Sequence, residues 1–342
     1  MLEDLIRAWD GEEVVVRFDE PTGSWIFVCI HSTARGPAGG GTRMKTYAEP
    51  SDALADAMRL ASAMTLKMAA VDMPFGGAKA VLAVPELVDG DRRRGLLLRY
   101  ADLVASLRGT FHTGPDVNTT VADMDVIGER CPYVFCRSEE HGGSGNPGPY
   151  TARGVFHGIR ASVRHVFGTD SLEGRVVLVQ GLGSVGGPLA EELVTAGAQV
   201  LASDLVPGRA ESLGAEVVPA EEVIGTECDV YTPCALGGTL NAETIPRLRC
   251  RIAAGSANNQ LAEPADAERL REAGILYAPD FVINAGGVLN SLGAEHLGWT
   301  REQIEERLAG IGVTLEEIYE KADAEAITTE AAAELLAYKR LR

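Results

Sequence analysis

Two lysines stand in a stretch where lysine is out of place. "MTLKMAAVDMPFGGAKAVL", Met64 to Leu82, is apolar or small at nearly every position, yet it carries Lys67 and Lys79, twelve positions apart. A buried lysine is strongly disfavoured unless paired or deprotonated, and burial or a neighbouring cation lowers its pKa toward a range useful for acid–base work. Two of them converging on a cleft could divide the labour, one staying charged to hold a carboxylate while the other shuttles protons. The alternative is snorkelling, with the stem on an apolar face and the ammonium in water, the commoner outcome for a single helical lysine. It suits Lys79 less well, because that residue sits between "FGGA" and "AVLAV". A third candidate, Asp116 in "FHTGPDVNTTVADMDVI", follows Gly114 and Pro115 and is expected to project from a loop, as a base or as an ordinary turn residue. Asp123 and Asp125 read instead as helix-start acids favoured by the macrodipole.

A second chemical signal lies in "GRVVLVQGLGSVGGPLAEELVTAGAQVLASDL". Gly181, Gly183 and Gly186 follow an apolar strand directly and open a helix. The first allows a tight turn, the second lets backbone approach a pyrophosphate, and the third lets helix pack on strand. Phosphates then sit at a helix N-terminus. Asp204, twenty-three residues after Gly181, ends the next strand and is placed to accept hydrogen bonds from an adenosine ribose. A carboxylate there repels a 2'-phosphate, so NAD is favoured over NADP. Gly181, Gly183, Ser184, Val185, Gly186 and Asp204 form the candidate cofactor site; a purely structural turn with an incidental acid is the competing reading.

The elements that must position these residues follow from the whole chain. At 342 residues it exceeds a usual single-domain length, so two domains with a cleft between them are expected. No run approaches eighteen apolar residues, and the N-terminus lacks the basic start, apolar core and cleavage site of a signal peptide, so a cytoplasmic location without a membrane partner is expected. Acidic residues outnumber basic ones 49 to 31, a formal charge of -18 that repels nucleic-acid backbones in the absence of a basic cluster. The six scattered cysteines and six histidines show neither C-x-x-C nor H-E-x-x-H, so reduced thiols and no metal site are expected.

Along the chain, "EEVVVRFDEPTGSWIFVCIHS" reads as a hairpin turning at Pro21 to Gly23. "PSDALADAMRLASAMTLKMAA" reads as a helix capped by Ser51, with Leu54, Met58, Ala61, Thr65 and Met68 on one stripe and Lys67 beside it. A strand, "AKAVLAV", follows the glycine pair. From about Tyr133 to Tyr150 the glycine and proline density marks a loop or domain junction. Beyond it, "CDVYTPC", "CRIAAGSAN" and "GILYAPDFVIN" read as strands separated by helical stretches, the pattern of a parallel doubly wound sheet. From about Arg301 two long helices are expected, one returning to the first domain.

Seven segments, "GGGTRM", "AMTLKMAAVDMPFGGAKAVL", "TGPDVNTTVADMDVI", "GGSGNPGPYTARGV", "GLGSVGG", "AGSANNQL" and "YAPDFVINAGGV", resemble in order the motifs of the amino acid dehydrogenases that act on glutamate, leucine, phenylalanine and valine. The resemblance spans almost the whole chain. It implies an N-terminal α/β substrate domain, residues 1–135, carrying catalysis and oligomerisation and rejoined by a C-terminal helix, 318–342, together with a Rossmann-type doubly wound NAD-binding domain, 136–317. It implies that Lys67 binds the substrate carboxylate, aided by Asn259 and the backbone near Gly40 and Gly41, that Lys79 activates the water attacking the imine, and that Asp116 moves protons on the amine. Thr151, Asn258 and Asn284 would lie on the cofactor side, and self-association into a homo-oligomer is expected.

The implied reaction is reversible NAD-dependent oxidative deamination of an L-amino acid to a 2-oxo acid and ammonia. Gly39 occupies the position where glutamate-specific relatives carry a lysine for the distal carboxylate, so an apolar side chain is the expected substrate. Leucine-type members hold bulkier residues at the positions of Gly39 and Gly114, so two glycines are expected to enlarge a pocket also lined by Val288 and Ser291. With "TGPDVN" and "LGWT", this favours phenylalanine; a leucine or valine dehydrogenase is the alternative. The usual third glycine before the catalytic lysine is Ala78 here, and Asn118 replaces a glycine common in leucine-type members; neither departure removes a functional group. A catalytically silent NAD-binding regulator would also fit the fold, but the retained Lys67, Lys79 and Asp116 argue against it.

Overall fold

The computed structural model describes residues 2–341, which separate into two compact units. The first runs through Asn146 and also takes Ser291–Gly298 and the chain from Ala337. The second holds Pro147–Asn290 and Trp299–Leu336.

After a short helix α1 (Leu2–Ala8), the first unit builds a five-stranded sheet from β1 (Glu13–Asp19), β2 (Ser24–Ser32), β3 (Ala38–Lys45), β4 (Gly76–Ala83) and β5 (Phe111–Pro115), in the order β1-β2-β4-β3-β5. The β1–β2 pair is the expected hairpin, antiparallel with Asp19 opposite Ser24. Three helices serve this sheet, α2 (Pro50–Ala70), α3 (Gly90–Ser106) and α4 (Val121–Gly128). Strand alternation assigns the faces. Ile26, Val28, Ile30, Ala78, Ala80 and Leu82 pack with Leu96, Tyr100 and Val104 of α3. Phe27, Cys29 and Val81 pack with Leu54, Ala57, Met58 and Ala61 of α2. Lys79 shares the parity of Val81, so its side chain leaves β4 on the α2 face.

Helix α2 carries the expected stripe, with Leu54, Met58, Ala61, Thr65 and Met68 all buried, but its cap differs. Glu49 is the N-cap, Pro50 takes the first turn where its missing N–H costs nothing, and the Asp52 carboxylate accepts from the Glu49 N–H at 3.3 Å. Ser51 therefore lies inside the helix. At α4 the Thr120 hydroxyl and Asp123 cap each other reciprocally, whereas Asp125 accepts from the Ser138 N–H at 2.9 Å and ties down the following loop.

The second unit is a six-stranded parallel sheet in the order β11-β10-β9-β6-β7-β8, from β6 (Val176–Gln180), β7 (Gln199–Ser203), β8 (Glu216–Val217), β9 (Val230–Pro233), β10 (Ile252–Ala253) and β11 (Leu276–Tyr277). Its helices are α5 (Gly148–Phe167), α6 (Gly186–Thr195), α7 (Arg209–Ser212), α8 (Ala265–Glu272), α9 (Asp280–Ile283) and α11 (Arg301–Glu325), with α10 (Gly286–His296) and α12 (Thr329–Leu341) running from one unit's residues into the other's. Helices α5 and α11 pack closely: a Cβ on Gly154 would meet Ile311 at 2.7 Å and one on Gly158 would meet Leu315 at 2.9 Å. The Ser162 and Tyr319 hydroxyls join across them at 2.7 Å.

One connection departs from the expected alternation. Between β9 and β10 the chain makes turns and a single 3-10 turn at Ile245–Arg247 instead of an α-helix. Asn241 caps the turn leading into it, its side-chain oxygen accepting from the Glu243 and Thr244 N–H groups.

The unit limits also differ from the expected 135/136 and 318 boundaries. Glu295 accepts from the N–H groups of Cys136, at 2.8 Å, and Ser144, at 3.0 Å, which keeps the glycine-rich junction with the first unit. At the other end Arg340 donates to the Ala70 carbonyl, holding only the last turns of α12 there. Among the described residues no helix is long and apolar enough to cross a membrane.

Candidate active site and nucleotide turn

The period-2 alternation of β3 puts Gly39, Gly41 and Arg43 on one face, the face that α2 covers. Next to them Lys79 projects from β4 and Asp116 leaves the end of β5. The Lys79 Nζ and Asp116 Oδ2 lie 3.1 Å apart, and Lys79 is 6% exposed. Gly41 borders both groups: a Cβ there would stand 3.0 Å from the Asp116 Cβ and 3.3 Å from the Lys79 Nζ. Its lack of a side chain leaves the pair reachable.

Arg43 completes the cluster. Its Nε donates to Asp116 Oδ2 at 2.8 Å, and its other arm donates to Asp56 of α2 at 2.8 Å. The Tyr47 hydroxyl donates to the same Asp56 oxygen at 2.7 Å. Burial pulls the Lys79 ammonium below its ordinary value; Asp116 opposes that shift, and the Arg43 charge adds to it. Burial pushes Asp116 up, but the Lys79 and Arg43 charges together outweigh it and hold the carboxyl below its usual range. The result is an ionised carboxylate touching an amine that gives up its proton more readily than a free lysine.

Arg43 and Asp56 do not stand out in the sequence. "GGGTRM" carries the signal, since Arg43 repeats the parity of Gly39 and Gly41, but recognising it requires knowing that β3 faces α2. Lys67 lies half-buried on α2, eleven positions after Asp56 and so on a similar side of the helix.

The expected pocket glycines do not open empty space. Gly114 stands opposite Gly41 in the β3–β5 register, and the room beside it is filled by the Phe135 ring. The bond from the Phe135 N–H to the Thr113 carbonyl, 2.9 Å, holds that ring in place. A side chain on Gly39 would meet Met68 at 3.0 Å and Leu292 at 3.2 Å, with Phe75 beyond at 3.6 Å. Ser291 is buried, its hydroxyl 2.9 Å from the Cys136 sulfur. The surroundings of Gly39 are therefore apolar, and these neighbours, sequence-distant, correct the inference that two glycines enlarge a cavity. Val288, half-buried on α10, and Asn259 belong to the second unit.

In the second unit the turn after β6 meets the demands of a nucleotide. Gly181 has φ +94°, a left-handed conformation open to glycine. A Cβ on Gly186 would run into the Gly181 carbonyl, whereas one on the exposed Gly183 would meet nothing within 4 Å, leaving free space before α6. Ser184 is exposed and Val185 half-buried in the same turn. Asp204 follows β7, accepting from the Leu182 N–H at 2.7 Å and the Val206 N–H at 2.8 Å, with Arg209 at 3.1 Å. Burial pushes its carboxyl up, and those donors more than reverse the shift. The cradle, the open approach at Gly183 and the acid at the strand end fit a dinucleotide. Asn284 donates to Asn258 Oδ1 at 2.9 Å and to the Ser256 carbonyl at 3.2 Å. Asn259 is exposed with φ +53°, and Thr151 Oγ1 donates to the Pro147 carbonyl at 3.1 Å in the first turn of α5.

Residues 19–133 match the model of the Glu/Leu/Phe/Val dehydrogenase dimerisation domain, and residues 206–342 that of the Glutamate/Leucine/Phenylalanine/Valine dehydrogenase family. The chain is 42% identical to a leucine dehydrogenase of Bacillus cereus, over 99% of its own length and 93% of the relative's. It is 40% identical to a valine dehydrogenase of Streptomyces albus, over 100% and 95%. The crystal structure of L-tryptophan dehydrogenase from Nostoc punctiforme superposes with a TM-score of 0.86 at 38% identity, covering 99% of this chain and 98% of that one. The chain belongs to the Glu/Leu/Phe/Val dehydrogenase family: it is an amino acid dehydrogenase, an oxidoreductase acting on CH–NH2 donors, with NAD as cofactor and a Rossmann fold in its second unit.

Proposed function

From that membership we propose that the enzyme oxidatively deaminates branched-chain L-amino acids, leucine and valine first, to the 2-oxo acid and ammonia, and runs the reverse amination. The observation that carries the substrate class is the apolar surround of Gly39, built from Met68, Leu292 and Phe75. The ring of Phe135 beside Gly114 favours a compact side chain over an aromatic one. The 42% and 40% identities to leucine and valine dehydrogenases support the same choice. Phenylalanine or another aromatic amino acid is the second reading, favoured by the likeness to the tryptophan dehydrogenase structure.

Lys67 and the backbone of Gly40 and Gly41 take the substrate carboxylate in this reading. Asp116 accepts a proton from the substrate ammonium, for which its depressed pKa keeps it ionised at neutral pH. Bound NAD supplies the hydride acceptor. Oxidation leaves an iminium carbon, and Lys79, its pKa lowered, removes a proton from the water that attacks it. The released ammonia and 2-oxo acid balance the reaction.

Asn259 assists at the carboxylate by resemblance, and Thr151, Asn258 and Asn284 serve the nicotinamide. We further propose a homo-oligomer associating through the first unit, supported by the dimerisation-domain match and by the exposed Val16, Phe18 and Trp25 of the edge hairpin. Steady-state rates of NADH formation across a panel of L-amino acids test the substrate reading. Leucine and valine are expected to give the highest kcat/KM; phenylalanine or tryptophan ahead of both would overturn the choice of class, and silence across the panel would sink the enzymatic roles.

A further inference from the structure

We propose that Cys228 and Cys250 form a reversible dithiol–disulfide site that responds to hydroperoxides, at the end of the second sheet remote from the nucleotide turn.

The register places the two sulfurs together. Ile252 pairs with Val230 in the parallel β9–β10 ladder, and an isolated parallel bridge joins Glu227 to Arg249, both at an offset of 22. The Cys228 N–H bonds to the Arg249 carbonyl at 3.0 Å, and the Arg251 N–H to the Asp229 carbonyl at 3.1 Å. Cys228 and Cys250 are thus direct neighbours on the paired segments that lead into β9 and β10, with side chains on one face. Adjacent strands run about 4.7–4.9 Å apart, inside the roughly 4.4–6.8 Å window of Cα separations that a disulfide spans.

Chemistry and access divide the roles. The pair lines a surface cavity of about 460 Å3 that also presents Glu227, Asp229, Arg249 and Arg251. Cys228 is 8% exposed, and Cys250 is more open. The neighbouring Cys228 holds the Cys250 thiol below its ordinary value, while Cys250 and burial push Cys228 up. Cys250 is therefore the attacking thiolate and Cys228 the resolving thiol. The Cys250 sulfur attacks one peroxide oxygen, the O–O bond breaks, and the leaving oxygen departs as water or alcohol once protonated, giving a sulfenic acid. The Cys228 sulfur then displaces the hydroxyl, which leaves as water with the Cys228 proton. The two thiols supply two electrons, the peroxide accepts them, and a thiol reductant reverses the change.

The cross-link would close the segment between β9 and β10, whose Ala235 abuts Gly181 of the nucleotide turn. Oxidation is thus expected to stiffen a wall of the cofactor site without blocking it.

The test treats the full-length enzyme with a small molar excess of hydrogen peroxide and maps its peptides by mass. The expected result is a peptide linking Cys228 to Cys250, two hydrogens lighter than its thiol parts and released by dithiothreitol. In Cys228→Ser, dimedone should instead trap a sulfenic acid on Cys250, and in Cys250→Ser neither product should form. Folded wild-type enzyme that retains both thiols, or that oxidises Cys250 to the sulfinic acid with no linked peptide, overturns the proposal. The wild-type measurement needs no variant, so it decides the matter even where a serine mutant misfolds.

Discussion

The two proposed halves of the chemistry are built from opposite materials. In the first unit, function resides in ionisable side chains, Lys79, Asp116 and Arg43, drawn from three strands and held within about hydrogen-bond reach. In the second, it resides in missing side chains, at Gly181, Gly183 and Gly186, and in the exposed backbone of Gly183, within one turn. The first is electrostatic: each partner's pKa depends on the others, and an unpaired buried charge costs several kcal/mol. The second is steric, where one methyl group decides whether a phosphate can approach. Substitutions in the two places should therefore fail in different ways.

The sharpest break of this contrast is Lys79→Ala. Turnover is expected to fall on the order of 10²–10⁴-fold while NADH affinity, read by fluorescence titration, stays within about twofold; near-wild-type turnover would remove Lys79 from the mechanism. The steric counterpart compares two glycines. Gly183→Val should leave the melting temperature nearly unchanged, since nothing lies within 4 Å of a Cβ there, but weaken NADH binding by about tenfold or more. Gly186→Val should lower stability itself by at least about 1–3 kcal/mol, because its Cβ strikes the Gly181 carbonyl. If both glycines affected binding alone, the assignment of a packing role to Gly186 would be wrong.

Arg43→Gln addresses the electrostatic coupling. The Arg43 charge lowers both the Lys79 and the Asp116 pKa, so its loss raises both. Groups that must be deprotonated to accept a proton then lose it at higher pH. The rising limb of kcat/KM against pH should move upward; a downward move would contradict the arrangement. The smallest expected effect is in specificity. Phe135→Ala frees the room beside Gly114 and should improve kcat/KM for phenylalanine relative to leucine by about 10-fold. An unchanged ratio would mean that Phe135 does not bound the substrate.

Legibility followed the range of the interactions. The β1–β2 hairpin, the α2 stripe and the glycine turn can be read in the sequence because each depends on neighbours a few positions away. The cap expected at Ser51 falls at Glu49 because Glu49, Pro50 and Asp52 compete for the same few residues and the reciprocal bond decides. The helix expected between β9 and β10 shrinks to a single 3-10 turn at Ile245–Arg247. Arg43 escapes notice because its partners, Asp56 and Asp116, are 13 and 73 positions away. Gly114 misleads for the same reason: the Phe135 ring that fills its space arrives from beyond α4.

What the sequence by itself determined was therefore the local chemistry: lysines set in apolar surroundings, a glycine turn between strand and helix, and an acid at the following strand end. The motif order also carried the family. Only the tertiary structure decided which charges meet and which volumes are already occupied, because strand register and helix packing bring distant residues within about 3 Å, where desolvation and Coulomb forces act most strongly. A sequence can offer a lysine and an aspartate to chemistry. The fold decides whether they touch.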